Sequence, residues 1–338
     1  MASEDPQLAV RNLCVDYVTD VGPVRAVDNV SFEIGRGEIF GLAGESGCGK
    51  STVAFAVTRL TKPPATIAGG EVLLGGENVL DFTGRRLQQY RWGEVSMVFQ
   101  SAMNALNPVL NLEEQFRDVL QTHTRLTRRQ ARLRAQELLE LVDIHPNRLR
   151  DYPHQFSGGM RQRLVIAIAL ALNPKLIIMD EPTTALDVVV QREILQKIHA
   201  LKEEFGFSIL FITHDLSLMV EFTDRIGVMY AGQIIESAPS LAVLEKPLHP
   251  YTEGLRNSFP SLTAPKQRLT GIPGSPLNLR EVPPGCRFQA RCPQAFDACF
   301  REPTVLADVE PGHYSRCHLH TRAHEQPSPE IFQRERVG

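Results

Sequence analysis

The stretch GESGCGKS, from Gly44 to Ser51, constrains this chain more than any other part of its sequence. It follows a short apolar run at Glu38 to Leu42, which predicts a buried strand, and it precedes an apolar helical run from Thr52 to Leu60. Glycines in a strand–loop–helix setting let successive backbone N–H groups point at one centre, and the helix N-terminus adds positive potential. The sequence therefore predicts a loop that binds phosphate.

Each residue of this phosphate loop is a candidate nucleotide contact. Lys50 is expected to reach the β- and γ-phosphates, and the Ser51 hydroxyl to bind Mg²⁺. Cys48 is interpreted as a small spacer rather than a reactive thiol. The candidate nucleotide-binding residues in and beside the loop are Gly44, Glu45, Ser46, Gly47, Cys48, Gly49, Lys50, Ser51 and Thr52.

A second apolar stretch, LIIMD from Leu176 to Asp180, predicts a buried strand that ends in a carboxylate. We expect this strand to lie beside the phosphate loop, with Asp180 holding Mg²⁺. Glu181 follows directly and is assigned as the general base for the water that attacks the γ-phosphate. Acidic pairs are also common at solvated strand ends, so this assignment depends on the phosphate loop. His214 closes another apolar strand, where a lone histidine is more often structural.

Apolar periodicity predicts an α/β fold with a β-rich start. Alternation at 8–18 and 24–34 indicates early strands, and helical spacing at 112–144 indicates an inserted helical block. Apolar strands at 176–179 and 208–212 alternate with helical stretches, which is typical of a parallel sheet.

Composition changes near the end of the chain. Beyond about Lys246 the sequence is rich in proline and glycine, which predicts a second, loop-rich unit. From Thr321 the residues are polar and predict a disordered tail.

Charge and hydropathy limit the partners of this 338-residue chain. The formal net charge of −3 gives no overall attraction to nucleic acid or to anionic lipid. The N-terminal MASEDPQLAV lacks the cationic start and apolar run of a signal peptide, and the longest apolar stretch, Leu164 to Leu172, is far short of the ~20 residues that span a bilayer. We therefore expect a cytoplasmic protein that docks onto a membrane partner.

The stretch FSGGMRQR, from Phe156 to Arg163, opens a predicted helix and offers further N–H donors to a phosphate from another molecule. With it, the sequence from Leu8 to about Ser237 resembles the ATP-binding-cassette (ABC) ATPases. The blocks that carry the resemblance, in order, are the phosphate loop, Gln100 in MVFQ, Ser157, Gly158 and Gly159 in the signature, Asp180 with Glu181, Asp187 in TTALD, and His214.

The resemblance implies an α/β P-loop ABC ATPase fold over 6–245, with a β-rich N-terminal subdomain, a RecA-like core and an inserted helical subdomain at about 101–172. A small cysteine-containing C-terminal extension is expected over 246–320, and a disordered tail over 321–338.

The resemblance also implies roles for single residues. Two cassettes are expected to sandwich ATP head to tail, one giving its phosphate loop and the other its signature serine and glycines. Gln100 is implied to contact Mg²⁺ and relay nucleotide state, and His214 to contact the γ-phosphate. Tyr17 stands where the family places an adenine-stacking aromatic, although a core-facing strand aromatic is the alternative.

Three further stretches resemble the oligopeptide/dipeptide class of importer ATPases: SAMNALNP after Gln100, HPYTEGL at 249–255 and GIPGSP at 271–276. This resemblance implies a peripheral protein at the cytoplasmic face of the cell membrane. Its expected partners are a second ATPase subunit, identical or different, two transmembrane permease subunits and an extracytoplasmic solute-binding protein, with no nucleic acid. Related cassettes power the transport of oligosaccharides or nickel, so the resemblance leaves the identity of the transported solute open.

Four cysteines lie near the end of the chain: Cys286, Cys292, Cys299 and Cys317. In a reducing cytosol such a group is more often a metal site than a disulfide frame, and the spacing differs from the close pairs of common zinc folds. Members of the subfamily carry this pattern, and some hold a [4Fe–4S] cluster, which the resemblance therefore implies here. Zn²⁺ is an alternative because histidines 313, 318 and 320 lie close by, and thiols without a metal are a third.

Two other classes of protein also bind nucleotide. A soluble ABC ATPase that acts on nucleic acid or ribosomes is favoured only by the basic stretch TRLTRRQARLR at 124–134, which a solvated helix surface explains better. An iron–sulfur electron carrier that merely binds nucleotide leaves the signature and His214 unexplained.

Overall fold

The computed structural model describes residues 5–100, 105–184, 186–258 and 271–321. The described strands form two sheets, one of four strands and one of eight. In chain order they are β1 (Leu8–Thr19), β2 (Gly22–Ile34), β3 (Ile39–Ala43), β4 (Ala65–Leu74), β5 (Glu77–Asn78), β6 (Val95–Val98), β7 (Leu176–Asp180), β8 (Ser208–Ile212), β9 (Arg225–Tyr230), β10 (Gln233–Pro239), β11 (Ala307–Glu310) and β12 (His313–Ser315).

Helices of 4 to 18 residues connect and cover these strands. They are α1 (Lys50–Val57), α2 (Gly84–Tyr90), α3 (Leu112–His123), α4 (Arg128–Leu141), α5 (Gly158–Ala169), α6 (Val188–Phe205), α7 (Leu216–Phe222), α8 (Ser240–Glu245), α9 (Pro250–Asn257), α10 (Asp297–Arg301) and α11 (His318–Thr321). Among the residues that the structure describes, none of these helices is long and apolar enough to cross a bilayer.

The smaller sheet is antiparallel, with the order β2-β1-β4-β5. Its strands show the expected period of two: Val30, Phe32 and Ile34 are buried on β2, while the residues between them are exposed. Phe32 stacks on Phe40 of β3 with ring centroids 5.1 Å apart. The β-rich start predicted from sequence is confirmed, and it packs against the larger sheet.

The larger sheet has the order β11-β12-β10-β9-β3-β8-β7-β6 and is mixed. Strands β6, β7, β8, β3 and β9 run parallel to one another, whereas β10 is antiparallel to β9. All residues of β3, β7 and β8 are buried, because helices cover one face of the parallel strands and the smaller sheet with α1 covers the other. This burial explains why the three strands read as unbroken apolar runs.

The helical block expected at 112–144 consists of α3 and α4. Both begin with capping boxes, Asn111 with Glu114 and Thr127 with Gln130, in which each side chain satisfies a backbone N–H of the other residue. Phe116 and its neighbours four residues away on either side form the buried face of α3. Local sequence therefore specifies where both helices begin.

The chain beyond 246 extends the larger sheet, since β12 pairs with β10 and β11 pairs with β12. Glu236 of β10 has no exposed surface and accepts the backbone N–H groups of Leu248 and His249 at 2.8 Å each. Its Oε1 lies 2.8 Å from Nε2 of His313 on β12. This buried carboxylate ties the C-terminal segment to the sheet.

His249 makes the stability of this junction depend on pH. It is fully buried, its Nδ1 accepts the backbone N–H of Tyr251 at 3.0 Å, and burial lowers the pKa of His249 to about 4. The unfolded chain has an ordinary histidine pKa of about 6.5, so stability present above pH 6.5 is lost as the pH falls toward 4. Between pH 7 and pH 5 we expect this residue to cost about 2 kcal/mol in the free energy of unfolding.

The test compares urea unfolding of the wild-type chain and the His249→Asn variant at both pH values. Asparagine can accept the same N–H but does not titrate in this range. The variant is expected to lose about 2 kcal/mol less than the wild type over this interval. An identical pH dependence in the two proteins would contradict the assignment.

Candidate nucleotide site

The phosphate loop joins β3 to α1, as the sequence predicts. Gly44 and Gly49 have φ values of 146° and 110°, in the region that side chains disfavour. A Cβ at Gly44 would lie 2.3 Å from the carbonyl oxygen of Met229, and one at Gly49 would lie 2.6 Å from that of Ala26. Both positions therefore require glycine, because of their backbone conformation and because the backbone of another segment passes close by.

Lys50 folds back over the loop. Its Nζ donates to the carbonyl oxygens of Gly44 at 2.7 Å and Glu45 at 2.9 Å, and its side chain is buried. Cys48 is also buried, and burial raises the pKa of its thiol, which agrees with its interpretation as a spacer. Ser46 and Gly47 are exposed at the tip of the loop. The backbone of the loop thus folds around the Lys50 side chain, and the tip of the loop at Ser46 and Gly47 is open to solvent.

Asp180 ends β7, and β8 lies between this strand and β3. The strand expected to lie beside the phosphate loop is therefore one strand removed from β3. The contact is nevertheless made, because α1 packs against β7 and brings Ser51 close enough to act on the Asp180 carboxylate. Burial raises the pKa of Asp180. A hydroxyl beside a carboxylate is the oxygen donor set that suits Mg²⁺.

The Glu181 carboxylate lies within hydrogen-bond distance of two other candidate residues. Its Oε2 accepts a hydrogen bond from Nε2 of Gln100 at 2.9 Å, and its Oε1 lies 3.0 Å from Nδ1 of His214. Gln100 follows β6 and His214 follows β8, the two strands that flank β7. The three candidate catalytic side chains, far apart in sequence, therefore meet at the carboxyl edge of the sheet.

The signature residues lie on a separate surface. Ser157 caps α5 by accepting the N–H of Met160 at 3.3 Å, and Asp187 caps α6 by accepting the N–H of Val190 at 3.0 Å. These residues, with Gly158 and Gly159, line an open pocket of about 420 Å³. None of the phosphate-loop residues lines this pocket, so a single chain does not bring the two phosphate-binding stretches together.

Tyr17 lies on β1, and its Oη is 3.2 Å from Oγ1 of Thr52 on α1. It is partly buried beside the helix that the phosphate loop opens. Both interpretations of this aromatic, adenine stacking and core packing, are compatible with that position. Its role as an adenine contact stays a prediction.

The structure gives no support to the metal site that the sequence predicts at the four C-terminal cysteines. All lie in the described part of the chain, where no three histidine, cysteine, aspartate or glutamate side chains are grouped to hold a metal ion. Burial raises the pKa of Cys286 to about 11 and those of Cys292 and Cys317 to about 12, and the pKa of Cys299 is also raised by burial. Without a metal ion these buried thiols therefore stay protonated near neutral pH, whereas metal binding would require them as thiolates.

Sequence reasoning missed two residues that contact the phosphate loop. The Arg291 guanidinium binds both carboxylate oxygens of Glu45, and the Tyr251 hydroxyl accepts the Glu45 N–H at 2.9 Å. Tyr251 belongs to the HPYTEGL stretch, and Arg291 directly precedes Cys292. The motifs were visible in the sequence, but nothing in their spacing indicated that they pack against residue 45.

Comparison with known proteins identifies the family. The ABC transporter family matches residues 27–184, and the family described as the oligopeptide/dipeptide transporter C-terminal region matches 235–299. The oligopeptide transport ATP-binding protein AppD of Bacillus subtilis is 43% identical over 316 residues, covering 93% of this chain and 96% of its own length. The chain belongs to the oligopeptide/dipeptide import family of ABC transporter ATP-binding proteins.

Other relatives agree with this membership. The oligopeptide transport ATP-binding protein OppD of Bacillus subtilis is 41% identical over 328 residues, covering 96% of this chain and 92% of its own length. The dimeric ATP-binding cassette MJ0796, solved in a post-hydrolysis state with ADP and Pi, superposes with a TM-score of 0.61 at 31% identity. It covers 69% of this chain and 98% of its own. The predicted family, and with it an ABC transport ATPase, is confirmed.

The buried Asp180 provides a test of the metal-binding assignment. Because burial raises its pKa, the ionised form is disfavoured in the folded chain without ligands, and stability is lost as the pH rises through that pKa. The Asp180→Asn variant is expected to melt at a higher temperature than the wild type at pH 8, and to lose Mg²⁺-dependent nucleotide binding.

Calorimetry at pH 8 and pH 4 checks the stability part of this prediction. The difference between the two proteins is expected to shrink at the lower pH, where more of Asp180 is protonated in the wild type. A variant that is less stable at pH 8, or that binds nucleotide with unchanged Mg²⁺ dependence, would contradict the assignment.

Proposed function

We propose that this chain hydrolyses ATP to power the import of dipeptides or oligopeptides through a membrane transporter. The observation that carries the proposal is the meeting of Gln100, Glu181 and His214 around one carboxylate, next to the Asp180–Ser51 pair. A carboxylate in this position can orient and deprotonate a water molecule, while neighbouring donors hold it in place.

Each residue then has one task. Lys50 and the N–H groups of the phosphate loop bind the β- and γ-phosphates, and Ser51, Asp180 and Gln100 hold Mg²⁺, which neutralises charge on the phosphates when bound. Glu181 accepts the proton of the attacking water through a carboxylate oxygen. His214, 58% exposed at its side chain, is free to turn from Glu181 toward the γ-phosphate.

A second cassette completes the site in this proposal. The signature pocket contains none of the residues of the chain's own phosphate loop, and beside it Val188 and Val189 are 69% and 68% exposed. Apolar side chains next to a group of N–H donors suit burial against another protein. The dimeric state described for MJ0796 supports the same arrangement for this chain.

Peptide is the proposed solute because the names of AppD and OppD describe oligopeptide transport. The Bacillus subtilis protein DppD, named for dipeptide transport, is 41% identical over 317 residues. We propose two permease subunits and an extracytoplasmic binding protein as the further partners, with this chain peripheral at the cytoplasmic face. Oligosaccharides or nickel are the alternative solutes, since the binding protein and permeases choose the cargo.

We propose the domain division read from sequence for the same chain: a cassette over 6–245 with its RecA-like core and a helical insert at about 101–172, then an extension over 246–320. The tail beyond Thr321, and all of SAMN at 101–104, lie outside the described residues. Limited proteolysis that releases a stable fragment ending near residue 245 would support separate units. Release of that fragment would have to break the pairing of β12 with β10.

The Glu181→Gln variant tests the assignment of the base. Glutamine keeps the shape and the contacts but cannot accept a proton, so ATP turnover by the assembled transporter is expected to fall at least about 100-fold. Nucleotide binding is expected to stay at the wild-type level. Steady-state phosphate release and equilibrium ATP binding measure the two quantities.

The matched control is Glu204→Gln, at an exposed position on α6. It makes the same chemical change away from the site and is expected to leave turnover unaltered. Wild-type turnover in the Glu181→Gln variant would refute the role of Glu181 as base.

The four-cysteine hypothesis needs its own measurement. The thiols of Cys286, Cys292 and Cys299 all act electrostatically on that of Cys317, so they are neighbours, and soft thiolate donors are the ones that iron–sulfur clusters use. If the sequence-based hypothesis is correct, the chain purified without oxygen contains about four irons and four sulfides. Zinc near one per chain would favour the alternative, and neither metal would leave a buried group of thiols.

A further inference from the structure

The C-terminal segment reaches the phosphate loop through one ion pair. Nη1 and Nη2 of Arg291 donate to Oε2 and Oε1 of Glu45 at 2.8 and 2.9 Å. The side chain of Arg291 is 6% exposed and that of Glu45 is 25% exposed. A two-pronged, buried contact of this kind fixes the orientation of both side chains, and few surface ion pairs do so.

Arg291 is itself held from three sides. Its Nε donates to the carbonyl oxygen of Pro273 at 2.7 Å, and its guanidinium carbon lies 5.8 Å and 5.9 Å from the ring centroids of Tyr230 and Phe288. Gly274 lets the chain turn directly behind it, with φ of 74°. The rigid surroundings make the guanidinium a fixed point rather than a mobile surface cation.

Glu45 is held at its backbone as well. The Tyr251 hydroxyl accepts its N–H, while its carbonyl oxygen accepts from Lys50 at 2.9 Å. Tyr251 is fully buried and packs on Tyr230 and Phe288, with centroids 4.7 and 5.4 Å away. Two stretches beyond residue 246 therefore contact the second residue of the phosphate loop.

We infer that Arg291 is a positioning residue for the nucleotide site, which it serves by fixing Glu45 and cancelling its charge. The inference rests on the proposed role of 44–51 as the phosphate loop. A carboxylate without its partner in this place would repel the nucleotide phosphates, because like charges at close range interact strongly at a partly buried site. It would also release one end of the loop whose N–H groups bind those phosphates.

Arg287 provides a matched control in the same segment. Its side chain is 10% exposed, and it pairs with Asp28 and donates to the Ala231 carbonyl oxygen. It therefore anchors the same part of the extension through a comparably buried ion pair. Its own contacts are with Asp28 and Ala231 and not with Glu45, and the phosphate loop lies one step further on, where the Gly232 N–H donates to the Cys48 carbonyl oxygen at 2.9 Å. Loss of either arginine removes one such anchor, whereas loss of Arg291 alone leaves Glu45 without its ion pair.

The experiment measures ATP binding and thermal unfolding of the full chain for Arg291→Ala and Arg287→Ala. Both variants are expected to melt at lower temperatures than the wild type. Arg291→Ala is expected to weaken ATP binding on the order of tenfold, whereas Arg287→Ala, which leaves the Glu45 ion pair intact, is expected to weaken it far less. Unchanged affinity in Arg291→Ala, or an equal loss in both variants, would overturn the inference.

Two further variants separate charge from folding and from the proposed function itself. The double variant Glu45→Gln with Arg291→Ala removes the unpaired carboxylate and is expected to recover part of the lost affinity. No recovery would overturn the role of charge cancellation.

Lys50→Ala is expected to abolish ATP binding. If it does not, the assignment of the phosphate loop fails, and that result is distinct from a failure of the positioning role of Arg291.

Discussion

Parallel pairing of β6, β7, β8 and β3 is the constraint on which the candidate site depends. The backbone hydrogen bonds between these strands place their carboxyl ends along one edge of the sheet. Asp180 and Glu181 end β7, Gln100 follows β6, and His214 follows β8. Since the strands themselves are buried on both faces, the edge is where their polar residues can meet a ligand.

The phosphate loop uses the same edge. It begins where β3 ends, and the insertion of β8 between β3 and β7 leaves room for His214 between the loop and the acidic pair. Ser51 of α1 lies close enough to Asp180 to act on its carboxylate, which links the loop to the acidic pair. The order of strands, rather than any single motif, decides which of these side chains touch.

The C-terminal segment is joined to this site by buried polar contacts. Glu236 holds the segment to the sheet, and Arg291 and Tyr251 carry the connection to Glu45 in the phosphate loop. Buried polar groups are costly unless each has a partner, so such contacts specify one arrangement of the segment on the core. The extension is in this way a structural part of the nucleotide site as well as a neighbour of it.

The sequence by itself determined the elements and the chemistry of the loop. Periods of two in β2, unbroken apolar runs in β7 and β8, and the capping residues before α3 and α4 are local signals, because each depends on neighbours along the chain. Glycine at 44 and 49 likewise reports a local backbone requirement. These features identified the phosphate loop, the acidic pair and the family resemblance.

Only the tertiary structure decided the contacts between distant residues. Strand β8 lies beside β3, although the two are far apart in the chain. Glu45 hydrogen-bonds Tyr251, 206 positions away, and pairs with Arg291, 246 positions away. Folding also brings Cys317 near Cys286, Cys292 and Cys299, although in the described part of the chain these thiols are not grouped as a metal site. Long-range packing has no periodic signature in the sequence, because it depends on the shapes and charges of surfaces that exist only after folding.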